Sequence, residues 1–188
     1  MGKNKNIRPD PNTNPYKIKP PTIPPSRSFI DFNTRRVCPA CGNNIKINHN
    51  FCKYCGVDLS AIKPIGNSDE ISKELAITAT TDPDAEVRRE AVDTLGDFGD
   101  TKVLGVLTYV LLNDPDENVR MEAADELGDL HHPYSLKALT KALKDVSPLV
   151  RKEAIEGLKK IKKKVKTEDQ NKGKPESRNE KRVESNDI

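Results

Sequence analysis

Residues 114–130 read DPDENVRMEAADELGDL, and a copy of this stretch lies on either side of it. Residues 82–98 upstream read DPDAEVRREAVDTLGDF, and residues 145–161 downstream read DVSPLVRKEAIEGLKKI. In register, Val87, Val119 and Val150 are equivalent, as are Arg88, Arg120 and Arg151, then Ala91, Ala123 and Ala154, then Leu95, Leu127 and Leu158. The steps of 32 and 31 residues match one helical hairpin. Self-similarity at such a period predicts a stacked array in which each unit covers the next.

Each unit reads as an outer helix, a break and an inner helix. The outer helices are expected over 68–80, 101–113 and 133–144, and the inner ones over 85–98, 117–130 and 148–165. The breaks have a steric cause: Pro83 and Pro115 push Asp82 and Asp114 out of the helical region. In the third copy Ser147 before Pro148 is an N-cap followed by proline at the first helical position, and the alignment puts Asp84 and Asp116 at the same cap. Apolar residues then recur at i, i+4 and i+8, a stripe that must be buried against the outer helix, with alanine at its centre for close approach. Gly96 and Gly128, near the inner-helix ends, read as C-cap positions.

Asp82, Asp114 and Asp145 each stand six residues ahead of Arg88, Arg120 and Arg151. This pattern resembles HEAT repeats, particularly the short variety of the phycobilin-lyase type, over about 68–161. The resemblance implies an Asp–Arg ladder between units; taken as exposed pairs, its members contribute about 0–1 kcal/mol each and fix geometry rather than bind a ligand. Related enzymes resembling deoxyhypusine hydroxylase bind two irons through His-Glu pairs near the starts of inner helices. Here those places hold Arg89-Glu90, Met121-Glu122 and Lys152-Glu153, so the glutamates stand without histidines. His131-His132 sits in a loop with no carboxylate beside it. With no aromatic-lined pocket legible either, the array is expected not to be an enzyme and to take no small-molecule substrate.

What remains on the array is charge. Glu90, Glu122 and Glu153 are equivalent, as are Asp93, Asp125 and Glu156, which predicts two acidic columns on one face. A solvated face is the plain reading; the functional one is a surface for a basic segment of a protein partner.

All four cysteines fall in CPAC and CKYC, as Cys38, Cys41, Cys52 and Cys55. Two CxxC pairs place four thiolates at the ends of two tight turns, the donor set and geometry of one tetrahedral zinc ion. Gly42 and Gly56 follow the second cysteine of each pair, where the chain turns back at positive φ and its amides point at sulfur. A redox CxxC would normally open a helix, and disulfides would need an oxidising compartment. A four-thiolate iron site stays open, since soft ligands at this spacing do not exclude it. The pattern CPxCG, then FCxxCGxxL, resembles the short zinc-ribbon family over about 23 residues. It implies a β-hairpin ribbon with a structural metal and a generic role in holding protein or nucleic acid. Phe51, Tyr54 and Leu59 are its expected core. With four protein ligands the ion has no open position for hydrolysis.

The net charge of +3 hides segregation. Residues 1–36 carry 8 basic and 2 acidic groups, 37–66 carry 3 and 1, 67–158 carry 10 and 20, and 159–188 carry 11 and 6. An acidic middle lies between basic ends. No apolar run approaches a membrane span and no hydrophobic segment follows the basic N-terminus, so a cytoplasmic protein without a membrane role is expected. Prolines at 9, 11, 15, 20, 21, 24 and 25 make the first residues a disordered arm.

The expected chain is therefore mainly α: a Pro-rich basic arm over 1–34, a four-cysteine zinc ribbon over 35–60, a linker over 61–67, a three-repeat HEAT-like solenoid over 68–166 and a disordered charged tail over 167–188. Function reads as a non-catalytic protein-interaction adaptor. The alternative is a nucleic-acid-binding or regulatory protein using the ribbon, with Arg35, Arg36, Lys46 and Lys53, and the basic tails, whose lysines could also lie on the acidic columns.

Overall fold

The computed structural model describes residues 29–172, with side chains through 164. The expected disorder of the arm's first 28 residues and of the last 16 residues lies outside them. A two-stranded antiparallel hairpin, β1 (Arg35–Val37) and β2 (Asn44–Lys46), precedes six helices. These are α1 (Glu70–Thr81), α2 (Ala85–Asp97), α3 (Leu104–Asn113), α4 (Glu117–Asp129), α5 (Ser135–Ala142) and α6 (Pro148–Lys172). Three hairpins stack, with α2, α4 and α6 as the inner row and α1, α3 and α5 as the outer. No helix among the described residues is long and apolar enough to cross a membrane.

The caps form where side-chain oxygens are available. Asp84 accepts from the amides of Glu86 and Val87, Asp116 from those of Asn118 and Val119, and Ser147 from that of Leu149. Just ahead of each cap, Oδ1 of Asp82, Asp114 and Asp145 accepts the amides of Asp84, Asp116 and Ser147 at 2.9, 2.9 and 2.8 Å, so each break is a side-chain-stabilised turn.

The inner stripe is buried at Ala91, Leu95, Val119, Ala123, Leu127, Val150 and Ala154. Val87, in the first of the described units, is exposed, and Leu158 is half-buried in the last. The inner-helix glycines are not C-caps. The left-handed residues that end α2 and α4 are Gly99, with φ 63°, and its equivalent His131, with φ 51°. Gly96 and Gly128 instead lie on the seam between units. A Cβ on Gly128 would stand 2.6 Å from Gly157 Cα, so α4 and α6 meet backbone to backbone. At Gly96 the space is filled by the Glu126 side chain.

α6 runs to Lys172, past the expected end of order near 167. Nothing from Leu158 to Lys172 is Gly or Pro, and 7 of these 15 residues are Lys, which favours helix.

The segment expected as a linker is packed: Ile62 and Ile65 are buried, and a 3-10 turn covers Ile65–Asn67. Order also begins earlier than residue 35, since Ile30 and Phe32 belong to the same core as the helices. The reason is α3. Its sequence, LGVLTYVLLN, is apolar on every side, and a helix apolar all round must be covered all round. Other helices cover part of it and the ribbon covers the rest.

Candidate metal centre and interaction surfaces

The hairpin and the turn after it bring the four cysteines together. Cys38 Sγ lies 3.7 Å from Cys55 Sγ, Cys41 Sγ lies 3.6 Å from Cys52 Sγ, and all four sulfurs fall within 4.8 Å of one another. Sulfurs held about 2.3 Å from a tetrahedral zinc ion stand roughly 3.8 Å apart, so the cage has the size the ion requires. Each pair sits in the same knuckle. The Gly42 amide donates to the Cys38 carbonyl at 2.9 Å and the Gly56 amide to that of Cys52 at 2.8 Å, with φ of 77° and 73° at the two glycines. Asn43 Nδ2 donates to Cys41 Sγ at 3.2 Å, the kind of outer contact that steadies a thiolate. Burial pushes the Cys38 and Cys55 thiols up; for Cys41 burial works the same way, but hydrogen bonds led by Asn43 bring it down to about 7. The donors fit one structural Zn2+.

The first knuckle rests on α3. Thr108 Oγ1 donates to the Pro39 carbonyl at 2.8 Å, and Gly105 admits the Val37 carbonyl where any side chain would collide with it. A Cβ on Gly42 would stand 2.9 Å from Leu112 Cδ1. Two longer links reach the third unit: Lys141 Nζ donates to the Cys41 carbonyl at 3.1 Å, and Tyr134 Oη donates to the Asp58 carbonyl at 2.7 Å. The ribbon thus clamps the outer row. Thr108, Lys141 and Tyr134 were not legible as ribbon contacts. The signal that could have revealed them is the lack of a polar face on α3.

Leu59 is buried as expected, but Phe51 and Tyr54 are not ribbon core: both are exposed, with Lys53 Nζ 5.0 Å from the Tyr54 ring centre. Arg35 and Lys46 face each other across the strands and are exposed. Arg36 is buried, donating to the Ile62 carbonyl at 2.7 Å, so it is no part of a basic surface.

Between units runs a ladder. Arg88 donates from Nε and Nη2 to both oxygens of Asp114 at 2.9 and 3.0 Å, and from Nη1 to the carbonyls of Asp82 and Pro83. Arg120 repeats this with Asp145, at 2.9 and 2.9 Å, and with the carbonyls of Asp114 and Pro115. The pairs are not the exposed ones expected from the sequence. The side chains of Arg88 and Asp114 are 3% and 4% exposed, and those of Arg120 and Asp145 are 10% and 13%. Burial works to raise Asp145, and the Arg120 fork outweighs it, so its carboxyl stays below the usual range.

The acidic positions do not form two bare columns. Arg89 holds Glu90 and also donates to Glu122 at 2.9 Å. Lys160, within α6, donates to Asp125 at 2.7 Å and pairs with Asp129 at 2.6 Å. Lys159 holds Glu156 at 2.7 Å. Glu153 is half-buried and pushed up, first by burial and then by Asp125. The point of convergence is elsewhere: carboxylate oxygens of Asp93, Glu122 and Glu126 fall within 4.8 Å of one another. Burial, then the charges of Asp125 and Asp93, push Glu126 up to about 7. Reading by columns misses Glu126 because its equivalents are Thr94 and Gly157, so it breaks the period.

Comparison with protein families agrees with this geometry. Residues 35–59 match the family model of a zinc-ribbon domain, and residues 105–170 match that of HEAT repeats. No curated protein matches the chain. From its N-terminal side onward, the chain carries a zinc-ribbon domain followed by HEAT repeats.

Proposed function

We propose that the protein is a non-catalytic adaptor, in which a structural zinc ribbon and a HEAT-repeat array together form one surface for protein partners. The observation that carries this reading is the docking of the ribbon. Its four thiolates complete a tetrahedral set, leaving no position for a reacting ligand, and its first knuckle is fastened to α3 through Thr108 and Pro39. The metal then serves to hold two modules as one body. On the inner row Asp93, Glu122 and Glu126 turn toward each other with Arg89 paired to Glu122, and this excess of carboxylates suits a basic segment of a partner. Fluorescence anisotropy with a labelled Lys/Arg-rich peptide tests this. Saturable binding that weakens in Asp93→Asn and Glu126→Gln is expected; equal binding by the variants and the native chain would sink the assignment of this face.

A second reading has its own observation. Exposed Phe51 and Tyr54, with Lys53 between them in sequence, are the aromatic and basic groups on which bases of a single strand stack. Single-stranded and duplex probes at two salt concentrations test it, and no binding at low salt disposes of it.

A further inference from the structure

The third unit presents the fittings of an inter-unit seam with no further unit upon them among the described residues. In the first two units the inner-helix arginine ties its own break with Nη1 and reaches the next unit's aspartate with Nε and Nη2. Arg151 keeps the first half of that arrangement, donating from Nη1 to the carbonyls of Asp145 and Val146 at 2.7 and 2.9 Å. Its Nε and Nη2 have no protein partner among the described residues. Beside it the apolar seam is also bare. Val92 and Ala124 are 0% exposed, whereas Ile155, their equivalent, is 45% exposed. Leu136, Leu143, Ile155 and Leu158 line a groove of about 520 Å³ between α5 and α6, rimmed by Lys159 and Lys162. Lys159 also pairs with Glu156 at 2.7 Å.

Another HEAT unit is not what fits here. Gly128 lets the successor's inner helix come in backbone to backbone, and its equivalent is Lys159, whose side chain holds a further helix at a greater distance than that seam. We propose that this end face docks an acidic amphipathic helix of a partner protein. One carboxylate enters the open fork of Arg151, and the apolar side of the helix fills the α5–α6 groove. The fork is shaped for two oxygens in one plane, as its two filled copies show, and the lysine rim matches an acidic ligand. The inference rests on the adaptor reading but assigns a different surface and the opposite partner charge.

The probe is a fluorescein-labelled peptide of residues 114–130 of this chain, an acidic amphipathic segment whose Asp114 fills such a fork in the native array. It is titrated with the full zinc-loaded chain and read by anisotropy. Saturable binding is expected, weakened about tenfold or more by Arg151→Ala and by Asp114→Asn in the peptide, with no further loss when the two are combined. The peptide variant needs no altered protein to fold. Ile155→Glu, at an exposed position, should abolish binding by filling the groove's wall with like charge. Equal affinity of Arg151→Ala for both peptides at the native level would overturn the proposal. No binding of this peptide beside intact binding of the Lys/Arg-rich peptide overturns this surface alone; loss of both overturns the adaptor reading too. A dimer by light scattering that dissolves in Arg151→Ala would assign the face to a second copy and overturn docking of a separate partner.

Discussion

Replacing Asp114 by alanine tests the ladder most directly. In the native chain Arg88 is all but sealed, at 3% exposure, with Asp114 taking two of its charge-assisted hydrogen bonds. Asp114→Ala leaves a guanidinium in the seam between units with only two carbonyl partners. Removing one partner of a buried pair costs about 3–5 kcal/mol, mostly as the penalty on the charge left behind. Asp145→Ala removes the equivalent group from Arg120, but that pair is wetter, at 10% and 13%, so water relieves the stranded charge and about 1.5–3 kcal/mol is expected. Both also lose one break hydrogen bond, to the amides of Asp116 and Ser147. Arg151→Ala, which strands no charge, should cost about 1 kcal/mol. Urea unfolding of the zinc-loaded protein, followed by far-UV circular dichroism, measures the series. Pairing Arg88→Met with Asp114→Leu should recover most of the loss, since apolar groups of similar volume strand nothing. If Asp114→Ala falls within about 1 kcal/mol of Arg151→Ala, burial of the pair is not what governs its energy, and the reasoning fails.

Three other outcomes follow from the same seams. Gly128→Ala should destabilise the fold by up to about 2 kcal/mol, because its Cβ meets the Gly157 backbone at 2.6 Å; Gly96→Ala should be neutral or gain about 0.5–1 kcal/mol, because only the flexible Glu126 side chain must move. Thermal melts showing the same sign for both would contradict this account of the glycines. Glu126 binds its proton more tightly folded than unfolded, with a folded value of about 7 against an ordinary 4.5, so native stability should fall as pH rises through that window. Since the group is partly in water, the loss is about 1–2 kcal/mol; Glu126→Gln should match the native chain near pH 4 and exceed it near pH 8, and a native stability that is flat across this range would refute the cause assigned. Stripping zinc with a chelator should lower the melting midpoint of the helices as well as unfold the ribbon, since Val37, Ile30 and Phe32 share the core of α3; an unchanged helical transition in circular dichroism would show that the modules are energetically separate.

The helical hairpins, their breaks and the metal ligands were legible because each depends on neighbours along the chain. Asp84, Asp116 and Ser147 cap the helix that follows them within three residues, and the two CxxC turns build half a zinc cage each without help from the rest of the fold. Repetition carried the stacking too, since a stripe that recurs at 31 and 32 residues has one economical way to be buried. What the chain alone did not disclose depends on groups brought together across units. Arg88 and Arg151 are the same letter in the same pattern, yet one is sealed by Asp114 and the other ends in an open fork. Gly96 and Gly128 share a register, yet one faces a carboxylate and the other a backbone. Glu126 looked like one acid among many until Asp93 and Glu122 stood beside it, and the all-apolar α3 needed a partner that proved to be the ribbon. Local pattern determined which elements form, because capping, turn and ligand geometry are short-ranged. Only the tertiary structure decided which side chains lose water and which charges meet, because desolvation and Coulomb interaction depend on distance in space rather than along the chain.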